Sequence, residues 1–180
     1  MSSEILTPVL PESVADGTIV AWNKQVGDSV KQDDILVEIE TDKVIIATGS
    51  KPSSLPFIQI DKKRVITSTE ALVLKEIPKR MVVIGGGVIG CELGSVYARL
   101  GTSVEVVEFL DRIIPGMDKD CSKELQRALK KQGIKFHLKH KVTSVKANKK
   151  SVSIGVQKRD SEETFNINAE YCLVAIGRKP

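Results

Sequence analysis

The 180-residue chain is poor in aromatic residues, with four Phe, two Tyr and one Trp, and it has only three cysteines. Cys91, Cys121 and Cys172 are odd in number and far apart. That spacing argues against a disulfide framework or a zinc site and fits reduced thiols in a cytosol-like compartment. No apolar run approaches the ~18 residues that a membrane-spanning helix requires, so no membrane partner is expected. The opening MSSEILTPVLPES has no basic segment leading into an apolar one, so no secretory signal is expected and the cytoplasm is the default location. Basic residues gather between Lys130 and Lys150 without interleaved aromatics, which reads as a solvated face, not a nucleic-acid site. His137 and His140, in KFHLKHK, have no third ligand nearby and read as surface residues.

What is present is unevenly distributed. Residues 1–44 hold three lysines against nine carboxylates, a net of −6, while residues 45–180 carry a net of +10. A sign change of this kind suggests two units of different origin. The expected organisation is a β-rich segment over 1–44, a crossover strand and linker over 45–80, and an α/β domain over 81–180. In the acidic part, Pro8 and Pro11 disfavour a helix in favour of extended chain. GTIVAW reads as a strand, VGDSV carries a Gly-Asp turn, and ILVEIE alternates strictly. The alternation turns Ile35, Val37 and Ile39 toward a core. Thr41-Asp42-Lys43 then forms a hairpin tip that holds Lys43 out into water.

The basic part centres on MVVIGGGVIGCELGSVYARLGTSVEVVE. Met81 to Ile84 is a buried strand by its continuous apolar run, and Gly85-Gly86-Gly87-Val88-Ile89-Gly90 fits G-x-G-x-x-G. Ile89, Leu93, Val96, Tyr97 and Leu100 have helical spacing, Gly101 ends the helix, and SVEVV closes on Glu108. A lone G-x-G-x-x-G is weak. Here it follows a strand, opens a helix, and has an acid 23 positions after Gly85 at the end of the next strand. That context is a dinucleotide fingerprint. Gly85 permits the tight turn, Gly87 lets the backbone approach a pyrophosphate, and Gly90 lets helix and strand pack closely. The helix N-terminus supplies N–H groups and positive potential to the phosphates. Cys91 lies in the first helical turn, where a thiolate could be stabilised, but its Gly and Glu neighbours favour a packing role. Glu92 could complement the helix dipole.

Downstream, DKDCSKELQRALKKQG predicts a helix with Asp118 as N-cap, Gly133 as stop and Cys121, Leu125, Ala128 and Leu129 on its inner face. IKFHL is a third strand. VTSVKA, SVSIGVQ and TFNINAE predict a three-stranded antiparallel meander, and YCLVAI a last buried strand ending at Gly177. The fold class is therefore α/β, with a Rossmann-like parallel sheet in which a meander replaces one helix.

Two family resemblances attach to these residues. LPESVADGTIVAWNKQVGDSVKQDDILVEIETDKV resembles the first half of the lipoyl domain, a barrel-sandwich fold, of the acyl-carrying components of 2-oxoacid dehydrogenases, the 2-oxoglutarate type especially. The resemblance implies that Lys43 is the lipoyl attachment site; the return strand and second half of that domain are missing. Residues 45–180, through ATGS, GGGVIGCELGSVYARLG, VVEFLDRIIPGMD and AIGRKP, resemble the NAD-binding domain of the dihydrolipoyl dehydrogenases. These are flavin-dependent members of the pyridine nucleotide-disulfide oxidoreductases. This implies that Gly85, Gly86, Gly87, Val88, Ile89, Gly90, Cys91 and Glu92 line the pyrophosphate and nicotinamide end of NAD. Glu108 would hold the adenine ribose, Val142 flank the adenine, and Gly177 lie near the nicotinamide. Thr48, Gly49 and Ser50 match the crossover that touches FAD in whole enzymes.

The sequence has no second G-x-G-x-x-G for FAD, no C-x4-C redox pair and no His–Glu base near its end. The expectation is an NAD(H)-binding portion, inactive alone and without retained flavin or catalytic residues, whose partners could include components of a 2-oxoacid dehydrogenase complex. ETDKVIIATGS reads as the seam between the two resemblances. The alternative reading is a lipoyl carrier using Lys43, with a homodimer pairing two N-terminal halves as a route to a complete barrel.

Overall fold

The computed structural model describes residues 18–25, 27–31, 34–40 and 49–179. The chain divides into two compact units, Met1–Thr48 and Gly49–Pro180. EILTPV, the Thr41-Asp42-Lys43 tip and Thr48 lie outside the described residues.

In the first unit, β1 (Thr18–Trp22) and β2 (Val37–Glu40) pair antiparallel, with an irregularity between Ile19 and Ala21. The Gly-Asp turn forms as the residues require: Gly27 takes φ 104°, and the Asp28 carboxylate accepts the Gln25 N–H at 2.8 Å. The expected inward face does not extend back to Ile35, which precedes β2 and is 65% exposed. Val20 and Trp22 are also exposed. The described part of this unit is a two-stranded antiparallel ribbon.

The second unit begins with β3 (Lys51–Pro52), β4 (Val65–Ile66) and α1 (Ser68–Ala71). The nucleus follows: β5 (Arg80–Ile84), α2 (Val88–Arg99), β6 (Ser103–Glu108), α3 (Lys119–Lys131) and β7 (Lys135–Leu138). The meander is β8 (His140–Ala147), β9 (Val152–Lys158) and β10 (Thr164–Ala169), and β11 (Tyr171–Val174) and β12 (Arg178–Lys179) complete the chain. A five-stranded parallel sheet has the order β4-β11-β5-β6-β7. The meander forms a separate antiparallel sheet, β10-β9-β8.

The apolar runs of β5, β6 and β11 are continuous because both faces of the parallel sheet are covered. Met81, Val83, Val104, Val106 and Leu173 pack with Leu93, Tyr97 and Leu129 of the helices. Their neighbours Val82, Ile84, Val107, Cys172 and Val174 pack instead with Val152, Ile154 and Val156 of the meander. The unit thus has three layers: helices, parallel sheet, meander. Of residues 45–80, expected as crossover and linker, those from Gly49 onward are part of this unit. Val65 and Ile66 form its edge strand, and Thr67 and Glu70 make a capping box on α1. The Tyr97 hydroxyl donates to the Ala71 carbonyl, tying α1 to α2.

The inner face of α3 differs from the expected one. Cys121 and Ala128 are exposed, whereas Ser122 and Leu129 are buried with Leu125 packed beside them. The Ser122 hydroxyl donates to the Ile113 carbonyl at 2.7 Å, so a polar residue turns inward to satisfy a loop carbonyl that apolar periodicity does not register.

Candidate functional site

The carboxyl ends of β5, β6 and β11 open onto a cleft of about 730 Å³. In open α/β sheets this end is where ligands bind. Its floor is the turn from β5 into α2. Gly85 has φ 105°, and a Cβ there would stand 2.5 Å from the Ala175 carbonyl oxygen, so glycine is required on two grounds. The Gly85 N–H is bonded to the Val107 carbonyl at 2.9 Å. Gly87 caps α2 without a side chain, and the space where its Cβ would stand is open. Among the described residues no protein acceptor takes the N–H groups of Val88, Ile89 and Gly90. The floor is thus an uncapped helix start, with donors free for an anion.

Of the expected contact residues, Gly85, Gly87, Val88, Ile89, Glu108, Val142 and Gly177 line this one cleft. Four others are placed elsewhere. Gly86 lies beneath the loop: its N–H goes to Glu108 and its carbonyl to the Ile114 N–H at 2.7 Å. Gly90 has no room for a Cβ, which would collide with the Gly85 carbonyl oxygen. Cys91 is buried; its Sγ donates to the Gly86 carbonyl at 3.4 Å, and its N–H bonds the Gly87 carbonyl. Burial, and secondarily the charge of Glu108, pushes the Cys91 thiol up to about 11. The helix start therefore does not make it a thiolate. Glu92 lines a different groove, of about 370 Å³, with Ser95, Arg99 and Met117. Gly90 packs its Cα against the loop while its N–H stays with the helix start, whereas Cys91 and Glu92 follow the first turn and have rotated away from the anion end.

Glu108 is buried at the end of β6, 8% exposed. One carboxylate oxygen accepts the Gly86 N–H at 2.6 Å and the other the Leu110 N–H at 2.7 Å. Each oxygen keeps a second lone pair, so the group can still accept ribose hydroxyls. Phe109, Leu110, His140, Lys141 and Arg178 line the cleft as well, although the sequence reading did not assign them there. The available signal was adjacency, to Glu108, Val142 and Gly177. Both histidines had been expected at the surface, and both are half-buried. His137 Nε2 lies 2.8 Å from a Glu105 oxygen, and the His137 and His140 rings pack with Phe165 at centroid distances of 5.3 and 5.7 Å. They fill the junction between β7 and the meander.

Gly49 and Ser50 lie at the start of a two-stranded ribbon in which β3 pairs with β12. Arg178 donates from Nε to the Ser50 hydroxyl at 2.8 Å and from its other arm to the Ser50 carbonyl. Neither residue lines the cleft. Among the described residues no cluster of three or more His, Cys, Asp or Glu could hold a metal, and no helix is long and apolar enough to cross a membrane.

The family model for the pyridine nucleotide-disulphide oxidoreductases matches residues 12–180. The chain belongs to this family. It is 49% identical over 142 residues to dihydrolipoyl dehydrogenase 3 of Pseudomonas putida, covering 79% of this chain and 30% of that one. The mitochondrial dihydrolipoyl dehydrogenase of Dictyostelium discoideum is 49% identical over 144 residues, covering 79% and 30%. Among solved structures, the HOCl-induced flavoprotein disulfide reductase RclA of Escherichia coli superposes with a TM-score of 0.63 at 28% identity, covering 74% of this chain and 29% of that one. The chain thus spans about 30% of the length of the curated relatives it matches. Pyridine nucleotide-disulphide oxidoreductases are FAD- and NAD-dependent. The residues here fit the nicotinamide dinucleotide better than the flavin: the cleft offers a glycine cradle, free N–H donors and a buried carboxylate with lone pairs to spare, and the sequence has no second glycine fingerprint.

Proposed function

We propose that this chain is the NAD(H)-binding portion of a dihydrolipoyl dehydrogenase-like oxidoreductase. The observation that carries the reading is the uncapped start of α2, whose free N–H groups adjoin a cleft that also holds Glu108 and Gly177. The helix start would bind and orient the pyrophosphate. Glu108 would take the adenine ribose, Val142 would pack against the adenine, and Gly177 would leave room for the nicotinamide. When bound, the nicotinamide supplies the hydride-accepting carbon. The chain's own part is to hold that ring at the carboxyl end of β11 and to shield it with apolar walls such as Ile84 and Ile176.

Electron transfer from dihydrolipoamide needs a redox-active disulfide and a flavin. Cys91, Cys121 and Cys172 do not supply a C-x4-C pair, and Cys91 and Cys172 are buried. The 180-residue chain is therefore proposed to bind the nucleotide without turning over dihydrolipoamide. Calorimetric titration with NADH tests the reading directly; saturable one-to-one binding is expected, and heat indistinguishable from dilution would refute it. The carrier reading rests on the β1–β2 pair, whose second strand ends three residues before Lys43. A lipoyl adduct in the intact mass would establish it.

A further inference from the structure

We infer that Glu108 is a positioning residue for the glycine loop, in addition to any contact it makes with a ribose. The inference rests on the nucleotide-site reading above and concerns how that site is kept in shape. Gly86 is held from three sides. Its N–H donates to the Glu108 carboxylate at 2.6 Å, the Ile114 N–H donates to its carbonyl at 2.7 Å, and the Cys91 thiol donates to the same carbonyl at 3.4 Å. A Cβ on Gly86 would stand 3.1 Å from Ile113 and 3.2 Å from Glu108, so the clamp closes on the backbone itself.

The second carboxylate oxygen does the same for the outgoing chain. It accepts the Leu110 N–H at 2.7 Å, which fixes the turn that carries Phe109 and Leu110 along the cleft. One buried charge therefore holds two segments of the site in register, the floor from β5 and the wall after β6. Charged acceptors make the stronger hydrogen bonds, and both N–H groups would lose their partner together. Ile114 takes φ 40°, unusual for a β-branched residue, while its N–H holds the Gly86 carbonyl. With Glu108 gone, Gly86 would keep only its carbonyl contacts.

A ribose-only role and a positioning role make different predictions for a nucleotide without ribose hydroxyls. ADP and 2′,3′-dideoxy-ADP share the pyrophosphate but differ in the groups that a carboxylate could accept. Calorimetry of both ligands on the unmutated protein, Glu108→Ala and Glu108→Gln makes the comparison, with thermal midpoints recorded to show that each variant is folded. The expected result is that Glu108→Ala weakens dideoxy-ADP roughly tenfold, and that Glu108→Gln, which keeps the shape and one acceptor oxygen, recovers part of that loss. Amide exchange on the ligand-free protein provides the readout that needs no nucleotide. The Gly86 and Leu110 amides should exchange faster in Glu108→Ala while the amides of β5 and β11 hold their rates. Unchanged dideoxy-ADP affinity, or unchanged exchange at Gly86 and Leu110, would overturn the positioning role. Failure of ADP to bind the unmutated protein would instead remove the nucleotide reading, an outcome the exchange measurement keeps separate.

Discussion

Cys121 is exposed on α3, whereas Cys91 and Cys172 are buried, and the difference has a chemical consequence. Desolvation leads in both buried cases, pushing Cys91 up to about 11 and Cys172 up to about 12, with Glu108 and Asp61 adding smaller electrostatic contributions. Only the thiolate alkylates, so iodoacetamide at pH 8 should label Cys121 in the folded protein and the other two only after denaturant is added. Peptide mapping that finds Cys91 labelled in the native protein would contradict this packing. Asp61 shows the opposite shift. Burial raises its pKa, but the N–H groups of Lys63, Arg64 and Val65, each at 2.8 Å, outweigh that and hold it below the ordinary carboxylate value. A depressed folded-state pKa means that its contribution to stability is present above the unfolded-state value and is lost as pH falls through the folded one. Asp61→Asn should therefore flatten the acid limb of the stability curve below pH 4, as read by urea unfolding, and cost about 1 kcal/mol or less at pH 7 because the group is largely exposed.

At the scale of elements, α2 holds two glycines, Gly90 and Gly94, that meet the sheet differently. Gly90 sits under the turn, where a Cβ would strike the Gly85 carbonyl oxygen, a backbone atom that cannot swing aside. Gly94 would bring its Cβ within 3.5 Å of Val104 and 3.8 Å of Val83, ordinary contacts with the sheet. Gly90→Ala should therefore cost about 1–3 kcal/mol through backbone displacement and abolish NADH binding. Gly94→Ala should be neutral, or stabilising by up to about 1 kcal/mol, since alanine is the better helix former. Thermal unfolding of the pair, with NADH titration, checks both. Equal destabilisation would contradict the ordinary 3.5 Å spacing to Val104 at Gly94.

Over the whole molecule, both core clusters are drawn from the second unit, Ile66 to Leu173 on the helix side and Ile58 to Val174 on the meander side. The fragment of residues 49–180 should then unfold cooperatively with a thermal midpoint close to that of the full chain and bind NADH as well as it does. A fragment without a cooperative transition would assign residues 1–48 a structural role. The cleft should also prefer NADH to NADPH. A 2′-phosphate beside buried Glu108 would set two negative charges together, and the Arg112 side chain is engaged with the Pro115 carbonyl at 2.8 Å. Affinities for the two nucleotides that agree within error would remove Glu108 as the discriminating group.

Much of the second unit was legible without coordinates, because its signals are local. A continuous apolar run, a glycine turn, a 3.6-residue period and an acid at a strand end each lie within a few residues, and β5, α2, β6 and the meander follow from them. The first unit was read from the same kinds of signal, yet Ile35, at the start of the alternating run, is exposed and lies before β2 begins. Tertiary structure alone decided which site residues share the cleft. Gly86, Gly90 and Cys91 stand beside Gly87 and Val88 in sequence, but a turn followed by a helix rotates them underneath. His140 and Lys141 come from a strand more than thirty positions after Glu108, and the pairing of β6 with β7, followed by the meander, is what carries them to the same opening. Sequence fixes what each residue can do locally; which residues meet depends on distant strands pairing, and no local pattern records that.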